Sequence, residues 1–93
     1  MDVPSGVNRA LDLALELKAH GLVVLDLRGI CTATDFFVLA SGASDVQVRA
    51  IAEHVVEELK VEGIRPGHVE GIRGGHWILL DYFDFVVHVL HPE

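Results

Sequence analysis

The chain has 93 residues, 51% of them hydrophobic and 23% charged, which suits one folded domain around a single core and is too apolar for disorder. Seven Lys and Arg against fourteen Asp and Glu leave a net charge of −7, so direct nucleic-acid binding is disfavoured and a basic protein is the natural partner. No apolar run approaches the roughly 20 residues that span a membrane, because Asp26, Arg28, Asp35, Asp81 and Asp84 interrupt each candidate.

Met1-Asp2-Val3-Pro4-Ser5 contains no basic stretch followed by an apolar one, so no secretory signal is read and the expectation is a soluble, cytoplasmic protein. Val7, Ala10, Leu11, Ala14, Leu15 and Lys18 then recur at helical spacing, predicting a helix over residues 5–20 that stops at Gly21. Leu22 to Arg28 is a strand candidate, residues 29–33 a loop, and Thr34 to Ala40 a second strand. That second strand is apolar on both faces over its middle, as for a strand covered on both sides. Cys31, the only cysteine, excludes an internal disulfide and has no histidine near it, so it reads as an incidental thiol.

Ser44-Asp45-Val46-Gln47 fits a capping box, in which the Ser hydroxyl and the Gln amide satisfy free N–H groups at a helix start. Val48, Ile51, Ala52, Val55 and Leu59 follow at spacings of three and four, and Gly63 ends that helix. Its opposite face, with Glu53, Glu57, Glu58 and Glu62, reads as a solvated one. Pro66-Gly67 marks a turn, His68 to Ile72 a short strand, and Arg73-Gly74-Gly75 another turn.

The last stretch, His76-Trp77-Ile78-Leu79-Leu80-Asp81-Tyr82-Phe83-Asp84-Phe85-Val86-Val87-His88-Val89-Leu90, holds the single Trp and the single Tyr. It predicts two strands, 76–82 and 84–90, joined tightly around Phe83. Alternation puts Trp77, Leu79 and Asp81 on one face of the first and Ile78, Leu80 and Tyr82 on the other. The element order α-β-β-α-β-β-β implies an α/β or α+β fold, a five-stranded mixed sheet with its helices on one side. Two helices cover only part of such a sheet, so an apolar face bearing Trp77 stays open as a docking surface. After Arg73 the chain has no Lys or Arg, only Asp81, Asp84 and Glu93, which makes this third the candidate for meeting a basic partner.

Several runs are similar to the ribosomal silencing factor (Iojap-like) family: Leu25-Asp26-Leu27-Arg28-Gly29, Thr34-Asp35-Phe36-Phe37-Val38, and Ser41-Gly42-Ala43-Ser44 with Gln47 and Ala50-Ile51-Ala52. Val69-Glu70-Gly71, Trp77 to Tyr82, Asp84 and Val86-Val87-His88-Val89 extend the resemblance over about residues 7–90. The resemblance implies a nucleotidyltransferase-like fold and a non-enzymatic translation repressor without cofactor or metal. It also implies a partner, ribosomal protein number fourteen of the large subunit, whose occupation sterically blocks subunit joining when nutrients are short, and a homodimer. Carried over by position, the partner-binding residues are Trp77, Leu79, Asp81, Tyr82 and Asp84. Two features depart from the family pattern. Phe83 stands where the family usually has Gly, in a connection where a left-handed φ would strain a side chain. The family also normally continues past His91-Pro92-Glu93 into a C-terminal helix; either the chain is a fragment or this version does without it, and residues 1–93 read as one domain lacking that helix.

The alternative is a nucleotidyltransferase-fold enzyme or nucleotide binder, with Asp81 and Asp84 holding divalent cations and Gly42-Ala43-Ser44 seating phosphates. Against it, catalytic carboxylates on one strand would stand at i and i+2 to share a face. These two are three apart across a turn, with no third acid placed beside them and no basic cluster for a triphosphate. His76, His88 and His91 have no short two-His zinc motif, and His88 reads as a hydrogen-bonded core imidazole. Asp26 and Asp35 read as loop caps or partners of Arg28, and Glu70 as a strand-end residue.

Overall fold

A computed structural model describes residues 3–91 of the chain; Glu93, counted above in the acidic C-terminal third, lies outside them. The elements follow in the expected order: α1 (Ser5–Glu16), β1 (His20–Asp26), β2 (Phe36–Ser41), α2 (Asp45–Val61), β3 (His68–Glu70), β4 (Trp77–Asp81) and β5 (Phe85–Leu90). The strands make one mixed sheet in the order β1-β2-β5-β4-β3, with β2 and β5 parallel and the other neighbours antiparallel. This is the expected α+β architecture. Among the described residues no helix is long and apolar enough to cross a membrane.

Helix α1 ends at Glu16, earlier than its apolar spacing suggests. The chain turns in a Schellman motif: Ala19 N–H donates to the Ala14 carbonyl at 3.1 Å and Lys18 N–H to the Leu15 carbonyl at 2.9 Å. Lys18 takes the left-handed φ of 64° that glycine would adopt at less cost. The turn is fixed from outside, because Gln47 Nε2 donates to the carbonyls of Leu17 and Lys18 at 3.1 and 3.3 Å. Gly21 is not the stop; it lies within β1 at φ 61°, where the pairing register shifts between His20 and Val23. At the start of α2, Ser44 Oγ accepts the Gln47 N–H at 3.1 Å, as expected. Gln47 Oε1 accepts the Ala43 N–H at 2.6 Å, one residue before the usual capping-box donor.

Both helices lie on one face of the sheet. Val7, Ala10 and Leu13 of α1 and Val48, Ile51, Val55 and Leu59 of α2 bury against Phe36, Val38, Ala40, Ile78, Leu80, Phe85, Val87 and Val89. Strand β2 is therefore covered on one side, not two. Phe36, Val38 and Ala40 are sealed, while Phe37 and Leu39 are half-buried on the opposite face. Central position in a sheet and burial on both sides are separate properties, and two helices supply only the first layer.

Candidate functional site

Cross-strand partners share a face, so the register assembles the uncovered side directly. One row runs Glu70, Leu79, His88, Leu39, Val23, and the next His68, Asp81, Val86, Phe37, Leu25. Trp77 stands opposite Leu90 in the row beyond Leu79. Val23 and Leu25 are exposed, Phe37, Leu39, Leu79 and Leu90 are half-buried, and Trp77 at the margin is 59% exposed. The result is a continuous apolar strip that no helix covers among the described residues, the kind of surface that soluble proteins keep for partners.

Trp77 is set by the turn before it. Gly71 has φ 84°, and a Cβ built there would fall 2.0 Å from the Trp77 carbonyl oxygen, so only glycine lets the backbones pass. Glu70, Gly71, Trp77 and Leu79 line a hollow of about 160 Å³ beside the indole. The indole Nε1–H donates to His88 Nδ1 at 3.0 Å, with the rings tilted 33° and their centroids 5.9 Å apart. Phe37 meets the same imidazole edge-on at 4.6 Å. Burial pushes the His88 pKa below its ordinary value, which favours the neutral ring. Glu70 brings a carboxylate to the hollow, its Oε2 2.7 Å from His68 Nε2.

Of the five residues expected at the site, Trp77 and Leu79 come together. Asp81 shares their face at the far end of β4, where its Oδ1 accepts the Phe83 N–H at 2.9 Å. Tyr82 does not belong there. It is 5% exposed on the core face, stacked on Phe85 at 5.0 Å, and its buried phenol is pushed up to about 12. The alternation that puts Asp81 on the open face turns the next side chain inward, where it stacks on Phe85. Asp84 is exposed in the turn beyond β4, where its carbonyl accepts the Asp35 N–H at 3.1 Å. Phe83 keeps the left-handed turn, at φ 72°, and lays its ring over Gly67, where a Cβ would meet the ring at 2.3 Å.

Asp81 and Asp84 thus occupy a strand face and a turn, and among the described residues no three His, Cys, Asp or Glu side chains gather as a metal site would require. Asp26 is bound by Arg28, whose Nη2 is 2.7 Å from its Oδ2; that bond holds the carboxyl below its usual pKa range. Reading the sequence missed Glu70, His88, Phe37 and Leu39 as parts of this face. The apolar residues on both sides of β2 were the available signal, but assigning them to an open face needed the β2–β5 register.

A family model described as "Ribosomal silencing factor during starvation" matches residues 1–93. The chain is 37% identical over 76 residues to the ribosomal silencing factor RsfS of Bacillus subtilis, covering 82% of this chain and 64% of that protein. It is 36% identical over 84 residues to the protein of the same name from Halalkalibacterium halodurans, covering 90% and 72%. A crystal structure of a Chromobacterium violaceum protein superposes with a TM-score of 0.93 at 30% identity, covering 99% of this chain and 77% of the other. The names these relatives carry are regulatory, not catalytic.

Proposed function

Because this chain belongs to the ribosomal silencing factor family, we propose that it is a translation repressor that docks on the large ribosomal subunit and sterically keeps the small subunit from joining, acting when nutrients are short. The partner in this reading is ribosomal protein fourteen of the large subunit. The contact face is the open strip, with Trp77 and Leu79 as its apolar centre, Glu70 and Asp81 on its rim, and Asp84 beyond the strand end. A half-exposed indole on a sheet face without a helix is the observation that carries the reading, since Trp is over-represented among the few residues that dominate interface energies. The acidic rim suits a basic neighbour, where opposite potentials set orientation and the rate of encounter. No small-molecule cofactor enters this mechanism, which is exclusion by occupancy.

The test is co-sedimentation with purified large subunits. Trp77→Ala is expected to weaken docking by at least ~2 kcal/mol, about thirtyfold, while folding stability changes by less than about 1 kcal/mol. Wild-type binding by this variant would sink the reading. Self-association through the same face makes a second expectation: a light-scattering concentration series should detect dimers that large subunits dissociate.

A further inference from the structure

Among the described residues the exposed indole donates one hydrogen bond, down onto the sheet. An indole N–H can only donate, so His88 Nδ1 at 3.0 Å must accept with a free lone pair. The proton of the neutral ring then lies on Nε2, which is buried and finds no acceptor among the described residues. An imidazolium has no lone pair at either nitrogen, so protonating His88 must break the bond to Trp77. It would also place a cation within apolar packing: Phe37 and Leu39 from β2, Leu79 from β4, Val86 and Leu90 along β5. The titratable groups that share this face are Asp81 opposite Val86, Glu70 opposite Leu79, His68 opposite Asp81, and His20 opposite Ser41 at the end of β1. Burial among these groups holds the His88 pKa below its ordinary value.

We propose that His88 is the positioning residue of the docking face: its neutral imidazole holds the Trp77 indole in the docking orientation, and protonation releases the indole and weakens docking. The proposal rests on the reading that Trp77 docks, and goes beyond it by assigning the control of that side chain. Without its bond to His88, an indole more than half exposed regains rotamer freedom that docking must then remove. The imidazolium would also repel a basic partner, an effect of the same sign.

The chain has one Trp, so one indole N–H signal reports on the contact by NMR in the isolated, unmodified protein. Near pH 7.5 that proton should be shifted downfield and exchange slowly with water. As the pH falls through the His88 midpoint, which lies below the ordinary value of about 6.5, it should move upfield and exchange faster, in step with the His88 ring nitrogens. An indole signal that ignores pH, or that follows another histidine, would overturn the proposal. This arm needs no substitution, so it stands even where a variant fails to fold.

Two variants extend the test to docking. His88→Phe removes the acceptor and should bind large subunits about three- to tenfold more weakly near pH 7.5, the worth of one half-buried hydrogen bond. His88→Asn offers an amide oxygen in place of Nδ1 and carries no charge at any pH. It should dock like the wild type near pH 7.5 and keep docking below the His88 midpoint that the indole signal reports, where the wild type weakens. A His88→Phe protein that frees the indole yet docks fully, while Trp77→Ala does not dock, would reject the positioning role alone. Full docking by Trp77→Ala would instead reject the site, leaving the indole signal to decide the contact.

Discussion

The two faces of strands β4 and β5 are built from similar residues and meet different fates. On one face Ile78, Leu80, Phe85, Val87 and Val89 are sealed beneath α1 and α2. On the other Trp77, Leu79, Val86 and Leu90 are also apolar, with His88 and Asp81 among them, and Trp77 and Leu79 remain accessible. Large apolar side chains alone do not separate them. What separates them is that the two helices among the described residues form one layer over the sheet, which leaves the second apolar face uncovered by them.

The sharpest way to break this comparison is to truncate adjacent leucines. Leu80→Ala removes a side chain with no exposure and should cost about 3 kcal/mol in urea unfolding, whereas Leu79→Ala should cost under about 1 kcal/mol and act on docking instead. Equal costs would mean the open face is structurally a core. Gly71→Ala should destabilise by at least ~2 kcal/mol, because a left-handed backbone and the approach to the Trp77 carbonyl both exclude a methyl group. The same unfolding measurement reads it, and docking should fall with it because the backbone carrying Trp77 has to shift.

Tyr82 separates the faces by titration. As the single Tyr, its near-ultraviolet absorbance should change with a midpoint of about 12 in the folded protein, against an ordinary value of 10.0. A folded pKa above the unfolded one gives stability that is fully present below pH 10.0 and is lost as the pH rises from there towards 12. An ordinary midpoint would place the phenol in solvent on the docking side. The smallest effect belongs to Phe83→Gly, which relieves the left-handed φ of 72° and gives up only the ring's contact over Gly67. A stabilisation of up to ~1 kcal/mol is expected in thermal unfolding.

Much of the fold was legible because its signals are local. The apolar spacing of α2, its Ser44 cap and its Gly63 stop each act within a few residues, and the structure keeps all three. The end of α1 was not legible. Lys18 sits in a glycine-like conformation held by Gln47, 29 residues away, and no local rule anticipates a distant amide. The site divides in the same way. Trp77, Leu79 and Asp81 follow from alternation along one strand, which also turns Tyr82 inward.

The sequence by itself determined the element order, the acidic balance and which side chains alternate along each strand, because these depend on composition and on periods of 2 and 3.6 residues. Only the tertiary structure decided that β2 would lie between β1 and β5. That placement brings Phe37 against His88 and completes the surface on which His88 holds Trp77. Strand neighbours are chosen by the burial of the whole sheet, and that choice has no signature in any short stretch of chain.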